Sequence, residues 1–235
     1  MTVQASLERA LSQVANHPVS LRVAGRTDAG VHASGQVASF TTLASRTSAQ
    51  WLRGANALSE LDVQIDWVEA VPMTFHPRFS ATARRYVYLF YDQGGEHPML
   101  RGQTWGCSAL DADAMHRAAQ ALVGEHDFSS FRGSGCQSLT PMRRVNRCEV
   151  IRQGAFVIMD IEANAFVLHM VRNIARCLHD IGCGRAQQDI TDLLAARDRT
   201  LLGATAPPQG LYLAQVSYPD YRLPPPGPIP LVRRY

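Results

Sequence analysis

Arg84 to Tyr91 reads RRYVYLFY. Alternation along this run places Tyr86, Tyr88 and Phe90 on one face, and no glycine or proline interrupts it, so it predicts a strand whose aromatic side must be covered. Outward toward the C-terminus, residues 145–152 and 156–163 predict two further strands joined by a turn at Gln153-Gly154, and residues 211–216 a last one. Between them lie three helical patterns, over 113–123, 166–181 and 189–196. The longest sets Val167, Met170, Val171, Ile174, Leu178 and Ile181 on one apolar side. Toward the N-terminus, Val3 to Ala15 has helical spacing with Thr2 as its cap. Val19, Leu21 and Val23 alternate as a strand, a second strand passes through Val37 and Phe40, and residues 50–58 read as a helix. Val63, Ile65 and Trp67 alternate again. Strands and helices mix without a regular βαβ rhythm, which predicts an α+β fold. The Gly- and Pro-rich stretch 93–106 marks a boundary between an N-terminal lobe, 1–103, and a C-terminal lobe, 104–235. The tail PPPGPIP can form neither helix nor central strand and is expected on the surface.

The 235 residues are enough for one large domain or two lobes around a common core. A 46% hydrophobic and 18% charged composition is that of a globular chain. No apolar run approaches the ~20 residues of a membrane helix. The first residues lack the basic flank and apolar core of a signal peptide, so a cytoplasmic protein without membrane contact is expected. Net charge is +3, and all 23 basic residues are arginine. That bias fits a GC-rich coding sequence, and it also suits phosphate and base contacts, because the guanidinium is a planar fork. The five cysteines form no C-x-x-C pair, so neither zinc nor a disulfide framework is expected.

Four segments carry groups suited to chemistry. In GRTDAGVHA, Gly25 to Ala33, Asp28 sits among small residues that let a ligand approach the backbone, with Arg26 two positions away. A nearby cation favours the charged carboxylate. The same loop also reads as a turn in which Asp28 caps backbone N–H groups, and both readings stand at this level. It is no P-loop, and it lacks a second carboxylate for a metal-dependent phosphatase. In FHPRFSATARRYVYLFY, from Phe75 and His76 to Tyr91, arginines 78, 84 and 85 interleave with aromatics. This is a pattern for phosphates and stacked bases, or for a half-buried strand. The long polar loop 124–145 holds Arg132, Arg143 and Arg144 and is either functional or plain surface. In NAFVLHMVRNIARCLHDIG, Arg172 is a snorkelling arginine or the partner of a distant carboxylate. His169, three residues earlier on the same helix side, reads as a packed histidine.

Taken together, GRTDAGVHASGQVASF at 25–40, FHPRFSATARRYVY at 75–88, GEHDFSSFR at 124–132, NAFVLHMVRNI at 164–174 and GLYL at 210–213 resemble the tRNA pseudouridine synthase A family. They stand in family order over nearly the whole chain. The resemblance implies a pseudouridine synthase fold, with two lobes sharing a central, mainly antiparallel sheet, helices packed on it and a basic active-site cleft. It implies isomerisation of uridines at tRNA positions 38 to 40 in the anticodon stem-loop, without cofactor or metal, by a homodimer. By motif position it implies Asp28 as nucleophile, Tyr86 as the tyrosine stacked on the flipped base and Arg172 as the partner of Asp28. Arg26 and Arg78 are then expected on RNA, together with Phe75, His76, Arg84 and Arg143, and Leu211 in the uracil pocket, with Val31 helping to close it. Tyr86 is also a candidate for the base at C5.

The chain departs from that pattern in three places. The family carries a strand with a Tyr-Asp-Gly…Gly-Trp-Gln pattern before its first helix, whereas this sequence starts at the helix, which predicts an uncovered sheet edge. Arg176 stands where the family has a small residue, and Ser59 where a proline is common. Two other readings compete with a tRNA pseudouridine synthase. One is a protein that binds and folds tRNA without modifying it; the other is an aspartate-nucleophile hydrolase of nucleosides or glycosides, which would release free uracil.

Overall fold

A computed structural model of the protein describes residues 2–60, 62–225, 227 and 229. It is an α+β structure with a central sheet that is mostly antiparallel. By contact the chain divides into two units, one made of residues 1–26, 36–81 and 218–227, the other of 27–35, 82–217 and 228–235. The strand over Arg84 to Tyr91 belongs to the second unit.

In the first unit, helix α1 (Val3–Ala15) starts at Thr2, whose Oγ1 accepts from the N–H of Ala5 at 3.1 Å. Helix α2 (Ser48–Leu58) is closed by a capping box between Thr47 and Gln50. Leu11, Ala15, Val19, Leu21, Trp51 and Ala55 form its core. Two short strands, β1 (Arg22–Val23) and β3 (Ala38–Ser39), pair antiparallel. The alternation at Val63, Ile65 and Trp67 does not become a strand. Its backbone turns to a side chain instead: Asn56 donates to Ile65 O at 2.8 Å and accepts from Ile65 N at 2.7 Å.

The second unit is built on a seven-stranded sheet. Its order is β2 (His32–Ala33), β9 (Leu211–Ser217), β4 (Ala83–Asp92), β8 (Phe156–Ala163), β7 (Met142–Gln153) and β6 (Gly124–Asp127), with β5 (Trp105–Cys107) beside the end of β4. β4 is the central strand, and its alternation holds. Tyr88 and Phe90 are fully buried in the core, under helices α3 (Ala112–Ala119) and α4 (Met170–Gly182), with α5 (Ile190–Ala196) closing the same core. Burial of such a ring contributes on the order of 2–3 kcal/mol. Val87 and Leu89 are buried on the opposite face with Ile158 and Tyr212. The three-residue β5 and the polar β6 carry no periodic signal, and the sequence reading missed them along with the two-residue β2.

Two irregularities place the site. The β4–β9 register slips between Arg85 and Tyr86, where Arg85 faces Gln215 but Tyr86 faces Leu213, and such a bulge re-aims the side chains beside it. Helix α4 begins at Met170 rather than at Phe166. The preceding backbone groups are already taken: Leu168 O accepts from Gly133 N at 2.7 Å, Leu168 N points at Cys136 Sγ, and His169 turns left-handed at φ 60°.

Candidate active site

The loop from Thr27 to Gly35 lies along the edge of the sheet. His32 and Ala33 pair parallel with Tyr212 and Leu213, and Ser34 N and Gly35 N both donate to Leu213 O. The His32 imidazole stacks on Tyr212, 4.7 Å between centroids, and its Nε2 contacts Gly102 O at 2.7 Å. Gly35 has to be glycine: a Cβ there would lie 2.1 Å from Ala214 O, at the bulge in β9. These contacts fix the base of the loop. At its tip Val31 N donates to Asp28 O, and Gly30 takes φ +82° to close the turn.

The tip presents the Asp28 side chain to the start of α4. Arg172 Nη1 donates to Asp28 Oδ2 at 2.6 Å, and Arg172 Nε donates to Ala206 O at 2.8 Å. One arginine thus joins the loop, the helix and the segment before β9. The Arg172 side chain keeps 14% of its surface exposed and that of Asp28 33%, so the pair is shielded on one side and open on the other. The partners are 144 positions apart, so no local pattern pointed to the pair and only the family resemblance did. His169, read from sequence as a packed helix histidine, is instead the residue before α4, and its Nε2 lies 3.3 Å from the same Oδ2. A left-handed non-glycine residue leaves no periodic signal by which to find it.

Tyr86 projects from β4 on the core side. Its ring meets Phe166 edge-on at 5.1 Å, and burial around its hydroxyl pushes the phenol up to about 12, with the Asp28 charge adding to the rise and Arg84 opposing it. Leu211 is buried at the start of β9, and Val31 packs against the same core. Arg84 is partly buried, and its Nη1 donates to Asn164 O at 3.0 Å. The second unit therefore brings Asp28, Arg172, His169, Tyr86, Leu211 and Val31 to one core and its edge.

In the first unit, Arg26 and Arg78 are exposed. His76 Nδ1 accepts from the N–H groups of Arg78 and Phe79, so this imidazole holds a turn. Phe75 packs its ring on Tyr218 and Tyr221. Arg143, expected on RNA, is turned inward in the second unit: it is 8% exposed and donates to Met142 O and Ser138 Oγ. With Arg132, which donates to Cys136 O and Ser138 O, it ties down the loop at 132–141. The Arg143 guanidinium is thus turned into the loop. Arg176, out of pattern in the sequence, pairs with Asp180 one turn along α4 at 2.7 Å and lies over Gly203. Among the described residues no group of three or more His, Cys, Asp or Glu could hold a metal ion.

Comparison with known proteins identifies the family. A family model described as tRNA pseudouridine synthase matches residues 1–80 and 118–219. Proteins named tRNA pseudouridine synthase A from Shigella sonnei and from Escherichia coli O1:K1 are each 53% identical over 233 residues, covering 98% of this chain and 86% of theirs.

Proposed function

The chain belongs to the tRNA pseudouridine synthase family, and we propose that it isomerises uridine to pseudouridine in tRNA with Asp28 as nucleophile. The observation that carries the assignment of Asp28 is the 2.6 Å bond from Arg172 to one oxygen of a carboxylate that stays one-third open at the edge of the sheet. A merely structural aspartate would be enclosed by its partners or would cap its own turn. Here the carboxylate is held from behind by a cation and faces outward.

The reaction moves the C1′ bond of the ribose from N1 to C5 of uracil. It is redox-neutral: C5 gives up a proton and N1 gains one. A carboxylate suits it, since it can form a bond to carbon and later leave as a stable anion. The base must first leave its stack, at a cost of a few kcal/mol. Stacking on Tyr86 would return about 1–3 kcal/mol, and the apolar lining from Leu211 and Val31 would keep detached uracil captive while it turns. Arg26, Phe75, His76, Arg78 and Arg84 form the proposed RNA-contacting set, with the uridines at positions 38 to 40 of the anticodon stem-loop as targets. We place the enzyme in the cytoplasm as a homodimer without membrane contact; no helix among the described residues is long and apolar enough to span a membrane.

The test is carbodiimide mapping of pseudouridine in unmodified tRNA incubated with the protein and with Asp28→Asn. Wild-type protein should mark the anticodon stem-loop. Asp28→Asn should bind the same tRNA with similar affinity and mark nothing. Tight binding by wild-type protein without any pseudouridine would favour a tRNA-folding role, and release of free uracil would favour a hydrolase.

A further inference from the structure

We propose that His169 is a positioning residue for Asp28, and that with Arg172 it reserves Oδ1 as the attacking oxygen. The inference rests on the reading of Asp28 as nucleophile. Both contacts on the carboxylate fall on the same atom: Arg172 Nη1 lies 2.6 Å and His169 Nε2 3.3 Å from Oδ2. A guanidinium bonded to one oxygen, with an imidazole beside that same oxygen, fixes the rotation of the carboxyl plane and leaves the other oxygen to form the bond to carbon. When that bond takes a lone pair of Oδ1, Oδ2 becomes a carbonyl oxygen and keeps the Arg172 bond and the imidazole beside it. When the bond breaks, the electron pair returns to a carboxylate that is already held in place.

Three independent features place His169 there. It takes φ 60°, ψ 3°, a conformation that costs an L-residue about 1 kcal/mol or more and is held only where the surroundings impose it. It precedes α4 without capping it, so its side chain is used elsewhere. The buried Gly133 leaves room for its ring: a Cβ at Gly133 would lie 2.8 Å from Nδ1 and 3.1 Å from Cγ of His169. Gly133 N also donates to Leu168 O at 2.7 Å, so the loop that makes the space fixes the turn that carries the imidazole.

The experiment uses the full chain and a tRNA transcript carrying tritium at C5 of uridine. Single-turnover release of tritium at saturating enzyme, tRNA affinity and melting temperature are measured for His169→Gly, His169→Gln, Gly133→Ala and the double variant of His169→Gly with Gly133→Ala. Glycine accepts φ 60° without strain, so His169→Gly should melt no lower than wild type and bind tRNA equally, yet react about ten-fold more slowly, the loss expected for one bond to a charged group. His169→Gln, which keeps an N–H at a similar reach, should recover most of that rate. Gly133→Ala should slow the wild-type background more than the His169→Gly background, because its Cβ crowds Leu168 O in both at 3.1 Å but meets the imidazole only in the first, at 2.8 Å. A wild-type rate in His169→Gly, a lowered melting point as its only defect, a Gln variant no faster than the Gly variant, or an equal effect of Gly133→Ala in both backgrounds would each overturn the proposal. If Asp28→Asn is inactive while His169→Gly is fully active, this inference alone fails. If Asp28→Asn is active, the reading beneath it fails.

Discussion

Arg172→Ala tests the centre of the site most directly. The substitution removes two bonds, one to Asp28 Oδ2 at 2.6 Å and one to Ala206 O at 2.8 Å. The first is charge-assisted, a class that contributes about 1.5–3 kcal/mol. One-third of the Asp28 side chain faces solvent, so screening puts the value in the lower half of that range, at about 2 kcal/mol. If that stabilisation is present throughout bond formation to carbon, its loss slows the chemical step about 30-fold. The second bond is an ordinary one to a carbonyl and bears on stability, at about 1 kcal/mol or roughly 2–4 °C in melting temperature for a chain of this size. Arg172→Lys keeps the charge but lacks the fork, so its ammonium cannot hold both acceptors as the guanidinium does, and its rate should fall between the two. The assay is single-turnover tritium release from C5 at saturating enzyme, which separates chemistry from tRNA affinity. A wild-type rate in Arg172→Ala, or a loss that vanishes at saturation, would refute the reasoning.

Three further outcomes follow from the same structure. Arg78→Ala should weaken tRNA binding and flatten the dependence of log Kd on log salt by about one unit, whereas Arg143→Ala should leave that slope unchanged and lower the melting temperature; filter binding across a salt series with thermal melts checks both. Burial pushes the Tyr86 phenol up to about 12, so it stays protonated from pH 7 to 10 and offers no phenolate as a base there. Tyr86→Phe should then keep most of the rate and the wild-type pH profile over that range while Tyr86→Leu loses both stacking and rate, and an inactive Phe variant would return Tyr86 to the role of C5 base. Burial also pushes the thiols of Cys107, Cys148 and Cys177 up to about 12. In the unfolded chain they ionise near 9, so above that pH the unfolded state binds fewer protons and stability falls as pH rises, by up to about 1.4 kcal/mol per pH unit for each thiol. Urea denaturation at pH 8 and 10 should show the drop, and Cys148→Ala should reduce it.

What the sequence made legible was whatever repeats along a single segment. The alternation of Tyr86, Tyr88 and Phe90 identified the central strand, and the spacing of Met170, Val171, Ile174 and Leu178 identified the buried side of α4, because each pattern reflects one face in one core. Thr2 announced the start of α1 for the same local reason. Features set by a partner far along the chain were not legible. Residues 166–169 carry an apolar, helix-compatible sequence, yet their backbone is claimed by Gly133 and Cys136, so the helix starts late. Val63 to Trp67 alternates as a strand should, but pairing needs a neighbour, and Asn56 supplies the bonds instead. The inward turn of Arg143 was not legible either, because an arginine in a polar loop reads the same whether it faces solvent or the loop itself.

The late start of α4 connects fold to chemistry. The left-handed turn at His169 takes the imidazole off the helical ladder and lets both residues reach Asp28 Oδ2. The cost of that turn is borne by structure on either side: the Gly133–Leu168 bond before it, and Asn173 after it, which accepts from Arg199 and Thr205 and donates to Phe131 O. Arg199 also donates to Leu202 O and Gly203 O, which shapes the segment leading to Ala206, and Ala206 O holds the other side of Arg172. The carboxylate is therefore positioned by a closed circuit through α4, the loop at 132–141 and the segment before β9. Each of these segments contributes a bond to the circuit that holds Arg172 against Asp28 Oδ2.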